Sequence, residues 1–253
     1  MKNLNLNVTA MTQNKKFTIV IPVYNEQESL MRLKGELERF SEESSVAFDV
    51  LFVDDGSNDN SLSTIKSFVA QTPDFYNYLS FATNQGLSAA LKAGIDHVQN
   101  PYVGYLDADL QTTPFDFNSF YEHLDSYTMV NGIRQKRNDS FIKKASSKIA
   151  NSFRRMMIDD GIEDTGCPLK LMETRAAQQI PFFKGMHRFI PALIQLQGGT
   201  VKQVPVRHFA RIEGQAKFHL FNRLVGPFFD TLAFVWMRKR NIQYKINESS
   251  YHS

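Results

Sequence analysis

The chain has 253 residues, 42% of them hydrophobic and 22% charged, which is ordinary for a globular protein with a full core. Its net charge of +3 is too small to predict nucleic-acid binding. A single cysteine, Cys167, excludes an internal disulfide and is typical of a reducing compartment. The sequence contains no run of 18 uncharged apolar residues, so it predicts no transmembrane helix. One domain with an appendage is therefore the expected organisation.

The first half of the chain alternates between apolar strands and amphipathic helices. Residues 1–16 are polar and rich in Asn, lack the apolar core of a signal peptide, and are predicted to be a disordered leader. A strand then starts at Phe17 and is expected to break at Pro22, and Asn25 is a plausible N-cap. The pattern further predicts strands at 48–53, 79–82 and 102–106, and helices at 26–40, 61–70 and from about 86 to 97.

The second half continues the alternation less regularly. Helices are predicted at 115–126 and 185–196, and strands at 128–132 and 200–206. A basic segment runs from Gly132 to Arg155, and residues 164–168 form a turn. The β-α-β order indicates an α/β fold with a doubly wound, mostly parallel sheet. Ligands of such sheets bind beyond the carboxyl ends of the strands, where the polar motifs of this sequence lie.

The most informative motif follows the strand at 102–106. Asp107, Asp109 and Gln111 alternate along the chain, so an extended strand would point all three side chains the same way. Two carboxylates and an amide are suitable ligands for Mg²⁺ or Mn²⁺, which keep further positions for water and phosphate oxygens. An ordinary turn is the alternative interpretation of Asp-x-Asp.

Other polar groups end the neighbouring predicted strands. Asp54 and Asp55 stand in a Gly-Ser-Asn loop, where a carboxylate can accept a hydrogen bond from the N–H of a nucleotide base. Pro22, Tyr24 and Glu26 would form the adjoining wall, with Tyr24 packed on a base or ribose. A third group, Asn84-Gln85-Gly86, opens a helix whose N–H groups favour an anion, although Gly86 can equally serve the turn alone.

Taken together, these motifs resemble those of family 2 glycosyltransferases of GT-A fold, in particular the polyprenyl-phosphate (dolichol-phosphate) mannosyl- and glucosyltransferases. The resemblance runs from about Phe17 to Lys217, which would be the catalytic domain. The residues that carry it are Ile21-Pro22-Val23-Tyr24-Asn25-Glu26, Val53-Asp54-Asp55-Gly56-Ser57, Asn84-Gln85-Gly86, Asp107-Ala108-Asp109-Leu110-Gln111, Gly132-Ile133-Arg134, Asp164-Thr165-Gly166 and Arg211…Gly214…Lys217.

The resemblance implies a role for each matching residue on the donor side. Asp107, Asp109 and Gln111 would hold the metal that bridges the donor diphosphate. Arg211 and Lys217 would belong to a mobile phosphate clamp, although Ala216 stands where the family usually has Ser. The implied donor-binding residues are Pro22, Tyr24, Glu26, Asp54, Asp55, Gly86, Asp107 and Lys217, and the implied catalytic residues are Asp109, Arg211 and Asp164.

The acceptor site is expected in the basic segment. A lipid monophosphate is an oxyanion at neutral pH and needs positive charge more than a general base. Arg134, Lys143 and Ser147 are the candidate ligands of the acceptor phosphate. Lys143 replaces an arginine of the family and loses its bidentate geometry. Asp164 is expected to orient the acceptor site or the sugar, and His187 with Arg188 falls where the family lines its sugar pocket.

Residues 218–253 form a separate C-terminal part. Apolar residues recur at helical intervals up to the basic cluster Arg238-Lys239-Arg240, and Pro227 is expected to split the run into two helices. Two interpretations are open for these helices. They pack on the catalytic domain, or they lie in the membrane interface with Trp236 and the basic cluster as anchors.

The sequence thus predicts an inverting, metal-dependent hexosyltransferase that uses Mg²⁺ or Mn²⁺. It would move mannose or glucose from a GDP- or UDP-sugar to a polyprenyl phosphate, as a cytoplasmic protein peripherally bound to the membrane surface and without nucleic-acid partners. One alternative keeps the fold but uses a sugar hydroxyl as acceptor, with Asp164 as base. A second is a nucleotide-sugar-binding protein without catalysis.

Overall fold

A computed structural model of the chain describes residues 16–135, 156–210, 225–242 and 247–248. They contain seven strands in one sheet: β1 (Phe17–Val23), β2 (Phe48–Asp54), β3 (Tyr76–Ser80), β4 (Tyr102–Tyr105), β5 (Met129–Arg134), β6 (Lys170–Glu173) and β7 (Val201–Val206). The helices are α1 (Gln27–Glu43), α2 (Ser61–Gln71), α3 (Leu87–His97), α4 (Phe117–Tyr121), α5 (Thr174–Gln179), α6 (Ile190–Leu196) and α7 (Val225–Arg240), with short 3-10 turns at Pro114–Asp116 and Met186–Arg188.

The sheet has the strand order β3-β2-β1-β4-β6-β5-β7. Every pairing is parallel except the two made by β6, which runs antiparallel to β4 and β5. The carboxyl ends of all the other strands therefore lie at one edge of the sheet, and β6 begins at that edge. The predicted α/β class and mostly parallel sheet are confirmed.

Helices cover both faces of this sheet. On one face α1, α2 and α4 pack over the core, with Leu30, Leu33, Leu37 and Phe40 of α1 fully buried, as their helical spacing predicts. On the other face α3, α5, α6 and α7 form a second core. Two buried faces explain why β1 and β2 are almost continuously apolar.

Proline does not break either of the two elements that the sequence predicts to be interrupted by it. Pro22 lies inside β1. The backbone of Pro22 faces the same side as that of Val20, two residues earlier, whose carbonyl accepts from Leu106 N on the β4 side. The pairing with β4 ends before Pro22, so the N–H that proline lacks has no partner to lose. The predicted split at Pro227 is also wrong for the described residues, because α7 runs continuously from Val225 to Arg240 and includes that position.

Other differences concern element boundaries. β3 begins at Tyr76, earlier than predicted, because the Tyr76 ring is fully buried and its residue pairs with Val50. The helix predicted at 115–126 is only α4 after a 3-10 turn, since His123 and Leu124 already donate to carbonyls three residues back. Glu26, and not Asn25, precedes the first residue of α1.

Candidate active site at the carboxyl edge of the sheet

The strand directions bring the acidic and basic candidates to one edge. Asp107 and Asp109 follow the carboxyl end of β4, and Arg134 is the last residue of β5. Asp164 lies in the segment that leads into β6, whose amino end is at the same edge. The antiparallel insertion of β6 between β4 and β5 is therefore what gathers these residues around one position.

The acidic motif is a turn rather than the end of a strand. β4 ends at Tyr105, and Leu110 has a left-handed φ of 53°, so the expected strict alternation of side chains is wrong. Asp107 is fixed by the Tyr105 hydroxyl, which donates to its Oδ1 at 2.7 Å. Asp109 Oδ1 accepts from the backbone N of Gln111 at 3.1 Å. The two carboxylates are thus held by local hydrogen bonds.

The pKa of Asp107 is raised, because nearby positive charge does not fully offset its burial and the charge of Asp109. Burial and the negative charge of Asp109 raise the pKa of Asp107 to about 6. The hydrogen bond from Tyr105 and the charges of Lys170 and Arg134 oppose that rise in pKa. A cation bound between the two carboxylates would remove the repulsion that raises it.

The donor groups of this turn fit a divalent metal of the Mg²⁺ type. Within the described part of the chain, no residue donates to Asp107 Oδ2, and the side-chain amide of Gln111 makes no hydrogen bond. The same residues contain no cluster of three or more His, Cys, Asp or Glu side chains that could enclose a metal. Two carboxylates and an amide would fill only part of the coordination shell and would leave further positions to water and phosphate oxygens, as Mg²⁺ requires.

Asp54 and its neighbour Asp55 are both buried, and their oxygens are engaged within the protein. Asp54 accepts from Ser57 N at 3.3 Å and from the Ser80 hydroxyl at 3.0 Å. Its proposed contact with a nucleotide base stays a prediction.

Asp55 joins the loop after β2 to the start of α3. Its carboxylate accepts from Asn84 Nδ2 at 2.8 Å and from the backbone N–H groups of Gln85 and Gly86 at 2.7 and 2.9 Å. The anion at the Gly86 N–H in this structure is therefore a protein carboxylate, and contact of Gly86 with a donor stays a prediction. The placement of Asp55 in direct contact with a donor stays untested.

The loops after β1 and β2 are fastened to each other by reciprocal hydrogen bonds. Asn25 N donates to Ser57 Oγ, and Asn58 N donates back to Asn25 Oδ1, at 2.9 and 2.8 Å. Glu26 N donates to Ser61 Oγ at 2.9 Å. This arrangement explains the left-handed φ of 52° at Asn25. Of the predicted donor wall, Tyr24 and Glu26 consequently lie in this hydrogen-bonded double loop, whereas Pro22 lies in β1.

Gly56 lies in that double loop, directly against the backbone that precedes α3. It has a φ of 69°, and a Cβ there would lie 2.6 Å from the backbone carbon of Thr83. We expect Gly56→Ala to lower the free energy of unfolding by about 2 kcal/mol or more, because strain and a backbone clash add. Urea unfolding measures this change.

Gly35→Ala is the matched control for Gly56→Ala. Gly35 lies in α1, and a Cβ there meets no heavy atom within 4 Å. Alanine in an open helical position is expected to stabilise by up to about 1 kcal/mol. Equal effects of the two substitutions would show that the close approach at Gly56 is not structurally required.

Arg134 and Asp164 form a bidentate ion pair. Arg134 Nε and Nη2 donate to the two carboxylate oxygens at 2.8 Å each, and Arg134 N adds a bond of 3.2 Å. Burial alone would lower the pKa of the guanidinium, but the hydrogen bonds and charge of Asp164 raise it. Both predicted residues thus lie together, and each is the other's principal partner. Asp164 as a free base is not what this geometry favours.

His187 lies on the side of the site formed by α3 and α6. Its Nδ1 is 2.9 Å from Ser88 Oγ, which also accepts from Gly185 N at 3.1 Å. Burial and the charge of Arg188 lower the pKa of His187 to about 3, so the imidazole is neutral at physiological pH. Arg188 pairs with Asp230 of α7 at 3.7 Å. Contact of His187 and Arg188 with a sugar stays a prediction.

Two residues of the site were not identified from the sequence, namely Tyr105 and Lys170. Lys170 occupies a buried position of β6 and pairs directly with Tyr105 of β4. A lysine within the apolar run Leu169–Met172 is the signal that could have revealed it. Cys167 is fully buried and lies against Gly132.

Several predicted site residues lie outside the described residues. They are the phosphate-clamp residues Arg211 and Lys217 and the acceptor residues Lys143 and Ser147. The predicted leader also lies outside the described residues up to residue 15. Lys16, assigned to the leader, forms an ion pair of 2.9 Å with Asp49.

Comparison with known sequences identifies related proteins. The profile described as "Glycosyl transferase family 2" matches residues 18–180. An undecaprenyl-phosphate 4-deoxy-4-formamido-L-arabinose transferase of Salmonella choleraesuis (strain SC-B67) is 32% identical over 217 residues. That alignment covers 85% of this chain and 66% of the relative, so the chain spans slightly less than two thirds of the relative's length.

Solved structures with the same fold are distant in sequence. Glucosyl-3-phosphoglycerate synthase from Mycobacterium tuberculosis, in complex with Mn²⁺ and UDP-glucose, has a TM-score of 0.66 and 12% identity, covering 90% of this chain and 82% of that one. Mannosyltransferase PcManGT from Pyrobaculum calidifontis, in complex with GDP-Man and Mn²⁺, has a TM-score of 0.64 and 16% identity, covering 90% and 65%. These neighbours are GT-A glycosyltransferases, which confirms the predicted GT-A fold.

Proposed function

Because the chain belongs to glycosyl transferase family 2, we propose that it transfers a hexose from a nucleotide sugar to a polyprenyl phosphate, with inversion at the anomeric carbon. The observation that carries this proposal is that the two carboxylates Asp107 and Asp109 lie in one turn, at the strand edge where Arg134 also lies. The S. choleraesuis relative, named for transfer to undecaprenyl phosphate, supports the choice of acceptor.

On the donor side, Asp107, Asp109 and Gln111 would hold Mg²⁺ or Mn²⁺. When bound, such an ion stabilises the negative charge that develops on the departing nucleoside diphosphate. The double loop of Asn25 and Ser57 gives the nucleotide a wall that needs no reorganisation on binding. Two solved neighbours hold UDP-glucose and GDP-Man, so the likeness of fold leaves both donor nucleotides open.

On the acceptor side, the phosphate itself attacks the anomeric carbon from the face opposite the leaving group. A phosphate oxyanion has no proton to lose, so this step needs no general base. Arg134 would orient that oxyanion, and Asp164 would hold the guanidinium in place through its two 2.8 Å bonds. With a sugar hydroxyl as acceptor, Asp164 would instead have to accept a proton while paired with Arg134.

The membrane contact is proposed for α7. Among the described residues no helix is long and apolar enough to span a bilayer. α7 buries Thr231 and Phe234, and Phe234 stacks on Phe189 with ring centroids 5.5 Å apart. Its opposite side exposes Phe229, Leu232 and Trp236, followed by Lys239 and Arg240, whereas Arg238 donates to the backbone carbonyls of residues 157 and 158. Apolar side chains beside a basic cluster suit an anionic headgroup layer.

We therefore expect the triple variant Phe229→Ser/Leu232→Ser/Trp236→Ser to lose most of its binding to vesicles that contain anionic phospholipid. Each of these side chains is exposed, so the fold should be retained. Cosedimentation with vesicles of phosphatidylglycerol and phosphatidylcholine measures the loss. The exposed pair Met31→Ser/Tyr78→Ser is the control, because it removes apolar surface elsewhere. Equal loss in both variants would argue against α7 as the contact.

Transfer of label from a panel of nucleotide sugars to a butanol-extractable lipid tests the proposed reaction. The panel contains GDP-mannose, UDP-glucose and a nucleotide-linked 4-deoxy-4-formamido-L-arabinose, with undecaprenyl phosphate as acceptor and Mg²⁺, Mn²⁺ or chelator. A lipid product that needs metal and is labile to mild acid is the expected result. Donor turnover without lipid product would favour the alternative in which a sugar hydroxyl is the acceptor. Donor binding without turnover would favour a nucleotide-sugar-binding protein.

A further inference from the structure

Ser88 contacts the turn that carries His187 at two points. It lies buried in the first turn of α3, and its Oγ accepts a hydrogen bond from Gly185 N at 3.1 Å. His187 Nδ1 lies 2.9 Å from the same oxygen. These contacts join residues 97 and 99 positions apart in the chain, so they depend on the packing of the turn against α3.

The hydroxyl of Ser88 has one proton, and its two contacts decide where that proton goes. A hydroxyl donates once and accepts up to twice. The bond from Gly185 N uses the oxygen as an acceptor, and in the described part of the chain His187 Nδ1 is the only acceptor within hydrogen-bond distance of the proton. If Nδ1 carried a hydrogen itself, the buried hydroxyl would donate to no group, which costs free energy. Ser88 therefore donates to Nδ1.

A hydrogen bond received at Nδ1 fixes the form of the imidazole. His187 is neutral at physiological pH, and a neutral imidazole that accepts at Nδ1 carries its hydrogen on Nε2. The two ring nitrogens face different directions, so Nε2 does not face Ser88. Among the residues that the structure describes, none forms a hydrogen bond with Nε2. The half-buried His187 is thus a neutral N–H donor without a partner among those residues.

This donor lies at the edge of the sheet that contains the candidate active site. α3 follows the parallel strand β3 and precedes β4, so its first turn, with Ser88, is at the carboxyl edge. α3 packs over β1 and β2, where Gly94 lies against Val20 and Val53. β1 is the neighbour of β4, and adjacent strands are about 4.8 Å apart. The acidic turn after β4 is therefore close to the side of the sheet edge that Ser88 and His187 occupy.

We propose that Ser88 is a positioning residue that holds His187 as a hydrogen-bond donor to a hydroxyl oxygen of the transferred sugar. This role rests on the nucleotide-sugar donor of the proposed function. A neutral N–H suits an uncharged hydroxyl, whereas the diphosphate is the partner of the metal and the acceptor phosphate is the partner of Arg134. Because the ring is held at Nδ1, the N–H favours a hydroxyl at one position of the sugar and contributes to the choice between sugars.

Nitrogen-15 NMR of the full-length protein, labelled at its histidines, tests the form of the ring. Loss of signals in His187→Gln assigns those of His187. We expect the wild type to carry the hydrogen on Nε2 at neutral pH, with an Nδ1 signal displaced by the hydrogen bond that it accepts. In Ser88→Ala that signal should move to the position of a nitrogen without a donor. A hydrogen on Nδ1 in the wild type would overturn the role of Ser88.

Calorimetry of nucleotide binding tests the contact with the sugar. The probes are the nucleotide sugar of the panel above that binds the wild type most tightly, and the free nucleoside diphosphate of the same base. His187→Asn has an amide near the position of Nδ1 and no group at Nε2. We expect it to bind the nucleotide sugar about fivefold more weakly, which is the effect of one lost hydrogen bond. His187→Gln, whose amide reaches the position of Nε2, should bind like the wild type, and binding of the free diphosphate should be unchanged in both.

Ser44→Ala is the matched control for Ser88→Ala. The Ser44 hydroxyl also accepts from a backbone N–H and donates to a carbonyl, both of Val46, but it lies at the opposite edge of the sheet, where α1 ends. We expect Ser88→Ala to weaken binding of the nucleotide sugar as His187→Asn does. Ser44→Ala should leave it unchanged.

The outcomes distinguish this role from the proposed function. Nucleotide-sugar binding that neither His187→Asn nor Ser88→Ala alters would overturn the contact and leave the proposed function standing. Equal losses for the nucleotide sugar and the free diphosphate would show that the turn supports the nucleotide and not the sugar, and would also overturn the contact. A wild-type protein that binds no nucleotide sugar would overturn the proposed donor and the contact together.

Discussion

Replacing Asp107 or Asp109 with Asn is expected to reduce glycosyl transfer by about 1,000-fold or more, because a bound metal supplies several kcal/mol of leaving-group stabilisation. Each substitution keeps the size of the side chain and removes the charge that attracts the cation. Mn²⁺ binding should fall in parallel. Initial rates of lipid labelling and Mn²⁺ titration, made on the same preparations, measure both effects.

Asp96→Asn is the matched control for these variants. Asp96 is an exposed carboxylate of α3 whose partner is Lys92, so its loss removes the same charge from the protein without touching the site. We expect transfer and Mn²⁺ binding to stay within about twofold of the wild type, because a surface ion pair contributes little free energy. Retention of transfer by Asp107→Asn in the presence of chelator would contradict a metal-dependent reaction.

The order of elements and the site edge could be predicted because they depend on local pattern. Buried positions of α1 recur at helical spacing, and β1 and β2 are apolar throughout, so the period of the sequence reveals both. Parallel strands place their carboxyl ends together, which puts Asp54 and Asp107 at one edge without any knowledge of long-range contacts.

The internal geometry of the site could not be predicted because it depends on partners far along the chain. Gly86 looked available to a phosphate, but Asp55, 31 residues earlier, uses its N–H. Leu110 has a left-handed φ, which is not expected for an apolar residue, and this conformation takes the acidic motif out of strand geometry. Local propensity carries no information about either feature.

Lys170 illustrates a different limit of sequence reasoning. Its burial is unexpected for a lysine, and its place beside Tyr105 depends on the antiparallel pairing of β6 with β4, which joins residues 65 positions apart in the chain. The alternation of strands and helices predicts parallel neighbours and gives no reason to insert β6 there. The residue was visible in the sequence, whereas its partner was not.

Arg134→Gln and Asp164→Asn are each expected to lower the free energy of unfolding by about 3 kcal/mol, because each leaves the other member of a mostly buried ion pair without its partner. The double variant Arg134→Gln/Asp164→Asn leaves no unpaired charge and should be less destabilised than the sum of the two. Urea unfolding of the four proteins measures the coupling energy. Additive losses would show that the two residues act independently.

The same two variants should differ sharply in transfer, and this difference decides between the acceptors. If a phosphate oxyanion attacks, Asp164→Asn removes no base and should keep activity within about tenfold of the wild type at a temperature where it is folded, whereas loss of a general base costs about 100- to 10,000-fold. Arg134→Gln should lose activity at low acceptor concentration, because the guanidinium orients the acceptor phosphate. An inactive Asp164→Asn variant that still binds donor would favour a hydroxyl acceptor, for which the carboxylate must take the proton.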